Sequence, residues 1–197
     1  MRTLLLILLC PFGVLAVDNE FVRVSRDDAP CAAMELPDCG DRVIVALDNI
    51  KFFAGTSQLL LRRGDVEIFP AGRKYQSPMM GSFIEVNIKP GHPPALAPAE
   101  IIAPEKNSLL FDGHDYIVFE EKLAPGDTRA RHSHSQRVVI QLNKARLKQW
   151  PDGEPEKIVE TVPDKALFSP PVVHIVENIG EQPLFGIIIE FKPGARR

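Results

Sequence analysis

Gly126-Asp127-Thr128-Arg129-Ala130-Arg131-His132-Ser133-His134 is the stretch on which the reading of this 197-residue chain turns. A turn glycine leads into two histidines separated by one residue. In a strand, residues i and i+2 face the same side, so His132 and His134 are expected to project together. Imidazole nitrogen is a good ligand for iron, manganese, nickel, zinc or copper. A third histidine, His174, lies in a later apolar segment and can complete one face of a coordination sphere. Three neutral histidines with open positions form a catalytic arrangement in zinc hydration sites.

Around that stretch the chain reads as short strands. Eighteen prolines and thirteen glycines fall between brief apolar runs, the punctuation of a β-rich fold. Residues 20–25 alternate apolar and polar, and 42–47, 51–54, 57–61, 66–69 and 82–88 follow as further expected strands. No segment carries apolar residues at helical spacing, so the expected class is all-β. A proline-rich join follows from residue 90. Proline has no amide hydrogen and forbids ladder pairing, which predicts an extended connection with a solvated His92 in it.

The second half then repeats the first. Tyr116-Ile117-Val118 matches Phe21-Val22-Arg23, and Arg137-Val138-Val139 matches Arg42-Val43-Ile44, both at an offset of 95. Past the turn Trp150-Pro151-Asp152-Gly153, Asp164 matches Asp65 and Phe168 matches Phe69 at 99. Phe191-Lys192-Pro193-Gly194 repeats Ile88-Lys89-Pro90-Gly91. Insertions in hairpin loops account for the shift, since loops absorb them most easily.

Composition narrows the classes. Hydrophobic residues make up 45% and charged ones 25%, ordinary values for a soluble globular protein. A formal net charge of −3 with no basic cluster argues against a nucleic-acid partner. Residues 1–16 combine Arg2, an apolar run from Leu4 to Leu9, and Ala16 as a small final residue. This is the pattern of a signal peptide cut before Val17, too short to span a bilayer comfortably. A secreted or periplasmic chain with no membrane attachment after signal removal is expected. Cys10 then leaves with the signal, and Cys31 and Cys39 remain as a disulfide pair in an oxidising compartment, or else as two buried thiols.

Two tandem copies of short strands, the second carrying Gly126-x5-His132-x-His134 and then His174-x3-Asn178, resemble the cupin superfamily. The duplication resembles a bicupin over roughly residues 20–193. The resemblance implies two tandem cupin-like double-stranded β-helix (jelly-roll) barrels. The expected division is a degenerate N-terminal cupin at 17–91, a proline-rich linker at 92–112, and a C-terminal cupin at 113–197. The family's glutamate falls at Val138 or Val139, neither of which binds metal, and Pro171 stands where its second motif has glycine. Pro37, Cys39 and Tyr75 replace the three histidines in the first half. Some iron dioxygenases of the superfamily also use three histidines without the glutamate.

The expected function is therefore an exported bicupin binding a divalent transition metal through His132, His134 and His174. A small organic ligand joins it in the C-terminal barrel, with oxygenase or isomerase chemistry as the family's precedent. The alternative is a non-catalytic ligand-binding or structural module whose metal site has decayed into hydrogen-bonded histidines. Gln136 and Gln141 are candidate carbonyl ligands. Arg129, Arg131 and Arg137 are candidate carboxylate clamps at the barrel mouth. Glu85 and Glu120-Glu121 show no partner in the sequence, Trp150 is expected on the barrel exterior, and Asn178 is expected to satisfy turn backbone. A homodimer is compatible with exposed barrel edges.

Overall fold

The computed structural model describes residues 14–194 apart from 34–35, 79 and 104–106. The basic start and apolar run of the expected signal thus lie outside the described residues. The first half contains β1 (Val14–Asp18), β2 (Val22–Arg26), β3 (Asp41–Ala46), β4 (Ile50–Ala54), β5 (Ser57–Leu61), β6 (Val66–Phe69) and β7 (Phe83–Ile88). The second contains β8 (Asn107–Asp112), β9 (Tyr116–Leu123), β10 (Thr128–His134), β11 (Arg137–Gln141) and β12 (Arg146–Pro151). It continues with β13 (Lys157–Glu160), β14 (Lys165–Ser169), β15 (Val172–Asn178) and β16 (Leu184–Phe191). Every pairing between these strands is antiparallel. Among the described residues no helix is long and apolar enough to cross a membrane.

Each half has its own five-stranded sheet, and the two follow one pattern. The order is β1-β2-β7-β3-β6 in the first half and β8-β9-β16-β11-β14 in the second. Strand alternation gives each sheet two working faces. Val22, Val24, Val43, Val45, Val86 and Ile88 of the first sheet merge in one buried cluster with Val118, Val138, Ile140, Ile187, Ile189 and Phe191 of the second. Burying one such side chain contributes about 1.5–3 kcal/mol, so this shared face locks the halves together. Polar ties cross the same boundary: Arg63 reaches Asp164 at 2.6 Å, and the Tyr116 hydroxyl donates to Asp41 at 3.2 Å.

The opposite faces form the two lumens. The first is filled by Phe52, Phe69, Tyr75 and Phe83 with Ile44 and Ile50, and the hairpin β4–β5 closes it. In the second half the closing sheet has four strands, β10-β15-β12-β13. The first half has no strand corresponding to β10 or β15 among the described residues. Its chain there runs through turns and bends, joined by the Cys31–Cys39 disulfide, as the cysteine count predicts.

Register corrects the repeat alignment. Arg42 lies opposite Phe69 and Asn87, whereas Arg137 lies opposite Ser169 and Glu190. The rows thus correspond at offsets of 95, 100 and 103. Likewise Arg23 pairs with Asn87 and Ile117 with Glu190, an offset of 94. A one-residue slip exchanges the faces of a strand, so Phe69 fills a lumen while Phe168 packs on the shared core.

Three local features differ from expectation. Residues 107–112, expected in the linker, form β8 and pair with β9. The rest of the join is not free either: Ile102 and Ser133 exchange backbone and side-chain hydrogen bonds, and His92 is half-buried against Phe21 and Phe191. Lastly, β1 crosses the expected cleavage point, with Val14 and Leu15 paired to Arg26 and Ser25.

Candidate metal centre

The three histidines meet where β10 and β15 pair. Pro125-Gly126 makes the turn into β10. Gly126 has φ +78°, the left-handed region that glycine enters without a Cβ penalty, and the Asp127 amide closes the turn on the Ala124 carbonyl at 3.0 Å. His132 then lies directly opposite His174, with His134 two residues on. All three side chains are buried, and one ligand nitrogen from each lies within 4.8 Å of the others.

A bulge sets the phase of β10. Arg129 pairs with Val176 and His132 with His174, so Ala130 and Arg131 together oppose Ile175. Such an extra residue re-aims the side chains before it. Arg129 is consequently buried and its guanidinium donates to Glu121 at 2.5 Å. Arg131 instead lies on the surface, bonded to Asp152 and Glu100, so neither is a clamp at the mouth.

The nitrogens differ in their partners. His132 Nδ1 meets the Ala130 carbonyl at 2.8 Å, which places a proton there and leaves Nε2 as a lone pair. His132 Nε2 and both nitrogens of His174 are buried without a hydrogen-bond partner. Burial holds the pKa of His132 down to about 4. Burial and then its histidine neighbours push His174 lower still. Both rings are therefore neutral at pH 7, the form that binds metal.

His134 is oriented by a residue that motif spacing did not reveal. Its Nδ1 lies 2.7 Å from Glu190 Oε2, and Phe119 stacks on the ring with a 7° interplanar angle. Burial disfavours the Glu190 carboxylate. Bonds from His134 and Ser135 and the charge of Arg137 outweigh that and hold its pKa below the usual carboxylate range. A carboxylate gripping the far nitrogen of a metal-ligating histidine fixes its tautomer and raises its basicity. The available signal was alternation: Gly186 and Ile188 line the lumen, which puts Glu190 on the same face.

A cavity of about 300 Å³ adjoins the histidines. His134, His174, Glu121, Arg137 and Gln141 line it, with Val139, Leu167 and Ile188 as apolar wall. Arg137 is buried, donating through Nη1 to the carbonyls of Ser135 and Pro170 at 3.2 and 2.7 Å. Gln141 reaches the cavity, although its Oε1 accepts from the Val162 amide at 3.0 Å. Gln136 does not join the site: β10 ends at His134, and the Gln136 Oε1 accepts from the Leu96 amide at 2.7 Å. Val138 is buried in the shared core and Val139 is apolar wall, so no carboxylate stands at the motif position.

Other candidates resolve locally. Trp150 is half-buried, with Lys148 over its ring and its Nε1 donating to Glu156. Asn178 is fully buried and satisfies the backbone at Leu123, Gln182 and Gly180. Glu85 does have a partner, the Tyr75 hydroxyl.

No family model matches the chain, and no curated protein matches it. Solved structures do match it, among them two that cover most of its length. One is a cupin 2 conserved barrel domain protein from Leptotrichia buccalis, 16% identical, covering 92% of this chain and 88% of that one with a TM-score of 0.57. The other is AerE from Microcystis aeruginosa, 16% identical, covering 92% and 98% with a TM-score of 0.54. The chain is an all-β protein with the cupin fold, and its three-histidine cluster is compatible with a metal ion.

Proposed function

We propose that the second half is a metal-dependent cupin barrel, in which His132, His134 and His174 hold a divalent transition metal and the adjoining cavity takes a small organic ligand. One observation carries this reading. Three buried imidazole nitrogens, on His132 and His174, have no hydrogen-bond partner. A buried polar atom without a partner costs about 1–3 kcal/mol, and a histidine cluster retained only for structure would satisfy them. A metal ion accepts the lone pair of each ring. The bound ion would act as a Lewis acid toward ligand oxygens. The protein's own residues do the remainder: Glu190 keeps a proton on His134 Nδ1 and so leaves Nε2 for the ion, while Val139, Leu167 and Ile188 exclude water from one side.

The same reading makes the chain a bicupin whose first half is structural. It is exported to the cell exterior or periplasm, a location that the Cys31–Cys39 disulfide supports. Cleavage after Ala16 would remove three residues of β1, so the N-terminal residue of the mature protein, read by intact mass, checks export directly. Elemental analysis of the purified chain tests the metal. Close to one equivalent is expected, falling below about a tenth in His132→Ala and His174→Ala, because a three-ligand site that loses one imidazole keeps too few donors. Substoichiometric metal unchanged by either substitution would overturn the reading.

A further inference from the structure

Two arginines in repeated positions behave differently. Arg42 in the first half bonds the carbonyls of Gly40 and Pro70 through Nη1 and that of Arg73 through Nη2, within a lumen packed by aromatic rings. Arg137 in the second keeps the matching Nη1 bonds to Ser135 and Pro170. Nε is buried without a partner in both arginines; Arg137 differs in that no bond from its Nη2 is made among the described residues and in lining the cavity beside His134 and His174. The guanidinium is thus fixed at one nitrogen, 8% exposed, with donors left over beside an open space.

Charge balance points the same way. Around the site Arg129 and Arg137 are offset by Glu121 and Glu190. Glu154 and Lys157, also on the cavity wall, lie 3.8 Å apart and offset each other. With the histidines neutral, as metal ligation requires, the protein contributes no net charge. A divalent ion would leave two positive charges uncompensated, because the motif carboxylate is replaced by Val138 and Val139. An anionic ligand restores the balance in a low-dielectric pocket, where an unpaired charge is costly. The walls at Val139, Leu167, Val172 and Ile188 ask that the rest of that ligand be apolar.

We infer that the cavity takes small carboxylic acids with a short apolar body, the carboxylate held by Arg137 beside the metal. This deepens the metal-dependent reading and rests on it. A guanidinium presents two parallel N–H donors that match a carboxylate and distinguish it from an isosteric amide.

The test uses the full chain loaded with cobalt(II), whose visible absorption reports both metal uptake and ligand approach. Isobutyrate is titrated against isobutyramide, equal in size and different in charge. Isobutyrate is expected to perturb the spectrum saturably, with the amide at least tenfold weaker. Arg137→Gln and Arg137→Lys are each expected to weaken isobutyrate at least tenfold at unchanged cobalt stoichiometry; the lysine variant keeps the charge but loses the fork. Failure to bind cobalt overturns the metal reading and this inference with it. Bound cobalt with equal affinity for acid and amide, or full isobutyrate affinity in Arg137→Lys, overturns the inference alone. The wild-type contrast decides the matter if a variant does not fold.

Discussion

The first lumen is full and the second is hollow, although each is backed by a five-stranded sheet of corresponding order. In the first half Asn87 accepts from the Gly40 amide at 2.9 Å and donates to the Asp38 carbonyl. It thereby pins the loop that the Cys31–Cys39 disulfide closes. In the second, Glu190 occupies the matching position, accepts from the Ser135 amide at 2.8 Å and holds His134. One side chain at one strand position thus serves a staple in one half and a histidine in the other. A repeat that needs no ligand can fill its interior with Phe52, Phe69 and Phe83. One that takes a ligand must leave space for it.

The contrast should break most visibly at Phe69 and Leu167, which face the two lumens. Phe69→Ala opens a void in a close-packed cluster and is expected to cost about 3–5 kcal/mol. Leu167→Ala enlarges an existing cavity and is expected to cost about half of that or less. Chemical denaturation measures both, and equal costs would mean that the second lumen is as tightly packed as the first.

Opposite pH slopes are the next way to separate the halves. Burial raises the pKa of Glu85 to about 7, above its unfolded value. The protonated folded state therefore contributes stability that is complete below about pH 4.5 and is lost as pH rises through 7. At about 1.4 kcal/mol per unit this amounts to about 3 kcal/mol. Burial lowers His132 and His174, so the metal-free protein loses stability as pH falls below about 6.5, where the unfolded histidines take up protons. Glu85→Gln should abolish the loss on the alkaline side, and His174→Gln should reduce the loss on the acid side. Both are read from denaturation midpoints across pH 4–8, and a slope unchanged by its own substitution contradicts the assignment.

Removing the disulfide by Cys31→Ser with Cys39→Ser should cost about 2.5 kcal/mol, the loop-closure entropy for a loop of this size, and leave metal content untouched. The smallest effect is expected at Glu190. Glu190→Gln keeps a hydrogen-bond acceptor but removes the charge, and should lower metal affinity about tenfold or somewhat more. Asn87→Asp, its counterpart, should leave metal affinity unchanged. A competitive chelator titration distinguishes the two.

What the sequence made legible was local. Alternation placed His132 and His134 together, and Asn178 behaved as an asparagine at a turn does. Glycine and proline punctuation marked the strands of an all-β fold. What it hid depended on register and on distance along the chain. The bulge at Ala130 and Arg131 cannot be read from residue types, and it alone sends Arg129 inward. Single-residue slips between the repeats moved Phe168 to the shared core, because face is set by pairing and not by similarity. Glu190 lies on β16, far along the chain from His134, and only closure of the barrel brings them together. Gln136 seemed in phase with His134 until β10 ended and the Leu96 amide claimed its oxygen. The proline-rich join concealed β8 because Asn107–Asp112 follows so closely on Pro104.

The most direct test of the central claim is anomalous diffraction from crystals of metal-replete protein, recorded at the absorption edge of the ion that elemental analysis identifies. One peak per chain is expected, about 2.0–2.2 Å from a ring nitrogen of each of His132, His134 and His174, with none in the first lumen. A metal-replete crystal whose only peak lies away from these three rings would contradict the account.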